Sequence, residues 1–225
     1  MEAYRTIEGR SEGEYEDRKS RFIGIVEPAT TEQEALDFLA RVRAEHPMAR
    51  HHVYAYILRA GNRVRYSDDG EPKRTAGIPV LEVLQHAGVS DVACAVVRYF
   101  GGTLLGTGGL VRAYTKAPQL ALAHAHIVEL APCRDVMVAV PYALYDQLAH
   151  RLAEEGRTVV DTVYADDVTV QVRVLADEAE RFASQLTDLT NGRAEILVGD
   201  EQMALVDAPT PTGASSDAVS GEEER

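Results

Sequence analysis

A chain of 225 residues, 45% hydrophobic and 26% charged, can bury a real core, which excludes wholesale disorder and leaves room for one large domain or two small ones. No apolar run reaches the ~18 residues of a membrane span, and the opening MEAYRTIEGRSEGEYEDRKS holds no signal-peptide core, so a cytoplasmic location and no membrane partner are expected. The net charge of −13 is unevenly spread: residues 1–49 carry −4, residues 50–116 carry +4 and residues 117–225 carry −13. A basic middle inside an acidic protein is either an anion-binding region or a chance cluster. Cys94 and Cys133 lie far apart without CxxC spacing, which excludes a zinc ribbon and points to reduced, structural thiols.

Residues 21–29 are apolar and β-branched enough to predict a strand. Thr31 followed by Glu34 makes a capping box, and Ala35, Leu36, Leu39, Ala40 and Val42 follow at helical spacing, with Pro47 marking the end. Residues 52–59 and 63–67 read as a hairpin turning at Gly61-Asn62. Residues 79–87 form a short helix stopped by Gly88. Residues 92–99 are almost continuously apolar, as in a strand buried on both faces. A glycine-rich stretch leads into a helix over 110–126 that Pro118 is expected to kink or break. The second half begins after about Pro132. Strands at 134–140, 158–164, 168–175 and 194–198 alternate with helices at 141–155 and 177–190. The order βαββαβ is the ferredoxin-like pattern. The expectation is an α+β fold with domains over 1–130 and 134–206, separable near 128–134, and a disordered acidic tail over 207–225.

Two stretches carry candidate chemistry. Gly101, Gly102, Gly106, Gly108 and Gly109 lie between the buried strand and the helix. Glycine permits positive φ and close approach, so successive amides can point at one anion, joined by a helix N-terminus near Gly109. A Walker loop would need Lys-Ser/Thr where Thr107-Gly108 stand, and a dinucleotide fingerprint would need glycine at Val111. A phosphate loop of another kind and a plain packing turn remain. Arg98 at the strand end, with Arg112 and Lys116 four residues apart, favours the anion site. Arg112 is placed in the first helical turn, against the dipole. The second stretch is SDDGEPKRTAG at 67–77. Asp68, Asp69 and Glu71 suit Mg²⁺ or, with His51, acid–base work; alternatively they cap the next helix and pair with Arg98 or Arg112. Lys73 and Arg74 extend the basic surface. A zinc site is not expected, because His51 and His52 alternate across a strand and His124 and His126 diverge, and tight Mg²⁺ binding at the carboxylates is not expected either. No nucleophile motif occurs.

Together, AxHxxxAY at 49–56, SDDGEP at 67–72, TAG at 75–77 and RYFGGTLLGTGGLVRAY at 98–114 resemble the N-terminal domain of the Impact/YigZ family, over roughly residues 15–130. The second half is similar to the second domain of its bacterial and archaeal members. The resemblance implies a first domain similar to the second domain of a small-subunit ribosomal protein, and a second similar to the last domain of elongation factor G. Both point toward RNA and the ribosome, and eukaryotic relatives regulate translation through a protein partner. Its motif positions fall on His51, Asp68, Asp69, Glu71, Thr75, Arg98, the five glycines and Arg112. Two departures stand out. Lys73-Arg74 replace a small residue and a glycine, and Val53 replaces a common cysteine, which argues against thiol chemistry there. The expected function is an RNA- or ribosome-associated regulator of translation. Phosphates would meet the glycine stretch, Arg98, Arg112, Lys116, Lys73 and Arg74, with Tyr99 or Tyr114 as base-stacking candidates. The alternatives are an enzyme for a small phosphorylated or anionic substrate, Mg²⁺-assisted, and a protein-binding regulatory module.

Overall fold

The computed structural model describes residues 1–205, so the tail expected over 207–225 lies outside the described residues. The chain opens with β1 (Tyr4–Glu8), β2 (Ser11–Asp17) and β3 (Ser20–Pro28), followed by α1 (Glu32–Glu45). Next come β4 (His51–Leu58), β5 (Arg63–Ser67), α2 (Gly77–Ala87), β6 (Val92–Tyr99) and α3 (Gly106–His124). The second half holds β7 (His126–Val140), α4 (Tyr142–Glu154), β8 (Thr158–Tyr164), β9 (Val168–Leu175), α5 (Ala179–Leu189), β10 (Glu195–Val198) and β11 (Gln202–Leu205).

Two antiparallel sheets organise these elements. The first runs β2-β3-β6-β4-β5, with β6 at its centre. Along β6, Val92, Cys94 and Val96 pack with α2 and α3, while Ala93, Ala95 and Val97 pack with Phe38, Leu39 and Val42 of α1. That double burial is why the strand reads as an unbroken apolar run. Thr31 caps α1 as predicted, accepting from the Glu34 amide, and Gly88 ends α2 in the left-handed region. In the second sheet β7 pairs with β9, and β9 with β8, while β1, β10 and β11 also pair with β7, β1 and β11 on its opposite edges at Leu130. Helices α4 and α5 pack leucines against the valines of β7 and β9. No helix among the described residues is long and apolar enough to cross a membrane. Both cysteines are buried and unpaired, and burial pushes the Cys94 thiol up, away from the reactive thiolate.

Three expectations change. Residues 128–134, expected as the junction of two separable halves, lie inside the single strand β7, and β1 pairs with its first five residues. The whole of β7 belongs to the second sheet, so the chain enters that sheet directly after α3, ahead of residue 128. Helix α3 begins at Gly106 rather than near Gly109 or Leu110, and it runs unbroken through Pro118. The packing of α3 explains its survival, since Ala113, Tyr114, Ala117, Pro118 and Ala121 are all buried and tertiary burial outweighs local propensity. Finally, β2 is too rich in glutamate to read as a strand, yet it carries α3.

The seat of α3 is a pair of glycines, Gly13 and Gly24, opposite one another on β2 and β3. A Cβ at Gly24 would lie 2.5 Å from the Ala117 carbonyl oxygen, and one at Gly13 would lie 2.4 Å from the Ala121 amide. The helix backbone rests directly on the sheet there. Gly24→Ala is expected to overpack this contact and destabilise the protein by about 1–3 kcal/mol. Chemical denaturation should show a lower midpoint with an unchanged slope; an unshifted midpoint would mean that the helix can lift away freely.

Candidate functional site

The site starts from the alternation of β6. Cys94 and Val96 face α2 and α3, and a period of two sends Arg98 to the same side. Its partners in register are Phe22 on β3 and His51 on β4, so the three form one row across the sheet. The guanidinium carbon lies 5.4 Å from the Phe22 ring centre and 5.7 Å from that of Phe100. Arg98 is only 6% exposed, and a cation buried this far requires a counter-charge. Glu71 supplies it. Its Oε1 accepts from Arg98 Nη1 at 2.5 Å and from the Tyr114 hydroxyl at 2.8 Å. His51 Nε2 stands 3.8 Å from the same oxygen. Burial, reinforced by the charge of Glu71, pushes the Tyr114 phenol up, so it acts here as a donor. His51 Nδ1 lies 2.8 Å from the Asp69 carbonyl oxygen. A carbonyl only accepts, which assigns the proton to Nδ1. Arg98 Nε has no partner among the described residues.

Of this cluster, Arg98, Glu71 and His51 line a cleft of about 420 Å³, together with Arg50, Phe100, Leu104, Gly106 and Thr107. No side chain caps α3, and its first turn holds no acid. The first amides of a helix have no intrahelical partner, and the dipole makes that end positive. Here the end opens into the cleft through the exposed Gly106 and Thr107. The remaining charged groups of the lining are Arg50, Arg98 and Glu71, with His51 beside them. A larger groove between α2 and α3 presents Glu82 and His86 but no arginine or lysine.

Several predicted residues are placed elsewhere. The three carboxylates do not converge. Asp68 accepts from the amides of Arg74, Ala76 and Gly77, capping α2 and closing the 68–77 loop. Asp69 accepts from the His52 amide, which extends the ladder at the start of β4. Only Glu71 reaches the cleft, and the described residues contain no group of three His, Cys, Asp or Glu side chains arranged to hold a metal. The Mg²⁺ cluster is thus dissolved by backbone hydrogen bonding. Gly101 closely approaches the Lys19–Ser20 backbone, and its amide donates to Ser20 Oγ, so it serves packing rather than an anion. Gly102 lies exposed in the loop at positive φ, whereas Gly106, Gly108 and Gly109 belong to the start of α3.

The cations separate in the same way. Because α3 starts early, Arg112 falls in its second turn, about half a turn round from Leu110. Arg112, Lys116, Lys73 and Arg74 are exposed and none lines the cleft. Tyr114 is fully buried and cannot stack on a base; the Tyr99 hydroxyl is engaged with His46 Nδ1 at 2.9 Å. Sequence reasoning missed Arg50, Phe100 and Leu104, although all three lie within or beside the quoted motifs. Arg74 has a φ of 68°, the region glycine occupies without strain.

Fold and site define a two-sheet α+β protein whose first half carries a polar cleft built on a buried ion pair. Residues 18–122 match the Impact N-terminal domain, and residues 138–193 match a domain of unknown function, DUF1949. The chain is 34% identical to the IMPACT family member YvyE of Bacillus subtilis, covering 89% of this chain and 93% of that one. It is also 34% identical to the IMPACT family member YigZ of Escherichia coli, covering 82% and 92%. A crystal structure described as that of a hypothetical protein is similar at a TM-score of 0.58 and 33% identity, over 88% of this chain and 97% of the other. The chain belongs to the IMPACT family.

Two stability outcomes follow from the geometry. Glu71→Gln leaves Arg98 buried without its counter-charge and is expected to cost about 3–5 kcal/mol, whereas adding Arg98→Met should recover much of that loss. Denaturant melts of both variants decide the point; a double variant no better than the single would show that no coupling exists. Arg74→Gly should stabilise by about 1 kcal/mol, by removing a side chain from the left-handed region.

Proposed function

We propose that this chain binds structured RNA, in the context of the ribosome, and modulates translation, with phosphate held in the cleft of the first sheet. One observation carries the reading. The uncapped N-terminus of α3 opens into the same cleft as Arg50, His51 and a buried Arg98 with an unpaired Nε. Free helix amides and guanidinium groups are the donors that recur at phosphate oxygens. The implied likeness of the first half to a ribosomal-protein domain, and of the second, ferredoxin-like half to a domain of elongation factor G, belongs to this proposal and supports it. The second half is strongly acidic, so phosphate contact is assigned to the first half alone.

A second reading, turnover of a small phosphorylated or anionic substrate, has one specific observation in its favour. With Nδ1 held by the Asp69 carbonyl oxygen, Nε2 is the His51 nitrogen not engaged with the backbone, and it stands beside Glu71 in the cleft, where a proton-transfer group would be needed.

The RNA reading is tested by co-sedimentation with ribosomal subunits, and by anisotropy with a hairpin RNA, across a salt series. Affinity is expected to fall linearly with the logarithm of salt, and Arg50→Ala to weaken binding and reduce the slope by about one. Arg181→Ala, on α5, should leave the slope unchanged. No salt-sensitive binding to either target would overturn the proposal.

A further inference from the structure

We infer that the cleft takes a terminal phosphate monoester carried on a nucleoside, such as the 5′-phosphate end of an RNA strand, rather than an internal diester. This rests on reading the cleft as a phosphate site. Three observations carry it.

The first is depth. The side chains of Arg98 and Glu71 are 7% and 4% exposed, so a ligand meets them only by inserting a group into the cleft. An internal phosphate has a sugar on both sides and reaches a recessed floor poorly, whereas a chain end presents its phosphate first. The second is the donor set. A monoester carries about −1.5 to −2 charge and three terminal acceptor oxygens, against the single charge and two free oxygens of a diester. The cleft gathers several kinds of donor on one small volume: the α3 amides at Gly106 and Thr107, the Thr107 hydroxyl, and the guanidinium groups of Arg50 and Arg98. Glu71 balances Arg98, which leaves the helix end and Arg50 as the net positive field. Glu71 takes only Nη1 of Arg98, and the buried Nε has no partner among the described residues, so that guanidinium is not used up.

The third observation is the rim. Phe100 is 43% exposed and Leu104 is 80% exposed, and both line the cleft mouth. A large apolar side chain this open on a loop is placed to cover a flat ligand surface, and an aromatic ring beside a phosphate site suits a base. The volume of about 420 Å³ lies within the range of small-molecule sites. It accommodates one nucleotide, not a duplex.

The experiment compares two single-stranded RNAs of one sequence, labelled at the 3′ end, one with a 5′-phosphate and one with a 5′-hydroxyl, titrated with the full chain. The phosphorylated strand should bind about tenfold more tightly, the effect of one added charge-assisted hydrogen bond. Adenosine 5′-monophosphate should compete for that difference, and adenosine should not. Leu104→Glu, at a position too exposed to disturb folding, should abolish the preference by repelling the phosphate. Equal binding of the two strands would overturn the inference while leaving the RNA reading intact. Binding of the mononucleotide with neither strand bound would support the monoester site, assign it to free nucleotides and overturn the RNA reading. Failure of both strands and the mononucleotide to bind would overturn both.

Discussion

A strand at the centre of a sheet covered on both faces offers no direction in which a charge can reach water. From Val92 to Val97, β6 obeys that constraint with residues almost wholly buried, and at Arg98 it does not. Alternation sends the guanidinium under α3, and the surroundings are arranged around that fact. The 68–77 loop must bring Glu71 inward, so its other two acids are spent on holding the loop: Asp68 on three amides and Asp69 on the edge of β4. Tyr114 must sit where its hydroxyl meets Glu71, which sets the rotation of α3. The close seat of α3 on Gly13 and Gly24 then holds that rotation. The motifs that are far apart in sequence are thus parts of one electrostatic requirement.

Stability does not by itself account for such a pair. Removing two charges from water costs several kcal/mol per ion, and well-packed apolar residues of similar volume often serve as well or better. Phe22, Tyr114 and Val96 already surround the position with apolar surface, so an apolar residue at 98 would be at home there. What an apolar residue cannot supply is a rigid donor array at the floor of a cleft. The pair is held by partners on three elements and a loop, and preorganised donors of this kind lose little entropy when a ligand arrives.

The sequence carried much of the fold and less of the site, for a physical reason. Hydrophobic period, caps and turns are local, and they located α1, the β4–β5 hairpin, α2, β6 and the whole βαββαβ run. Elements defined by what they lean on were hidden: β2 is a charged edge strand whose role is carried by Gly13, and β1 and β11 are short strands recruited by a long partner, β7. The site depends on register, which is non-local. Nothing in the sequence says that position 51 stands opposite 98, or that Glu71 rather than Asp68 or Asp69 turns inward. The glycines misled for a related reason. Five in nine residues look like one anion loop, yet Gly101 serves a backbone contact with the β2–β3 turn and three others belong to the helix. Arg74 is a case where the resemblance was informative. The glycine that the resemblance implies at that position fits the left-handed backbone observed here.

The charge distribution decides what form an anion site can take in this protein. A net charge of −13 opposes any approach that depends on the long-range field, and the second half offers a phosphate backbone nothing. At physiological salt, however, exposed charges are screened beyond about 8 Å, so most of that acidity is not felt inside the cleft. There the balance is set by groups within contact distance: Arg98 against Glu71, then Arg50 and the open end of α3. The four other cations near the motifs are exposed and none lines the cleft, which limits the basic face that a continuous strand of phosphates would need. A single inserted anion needs only short-range donors, and an acidic chain can provide those by burying them.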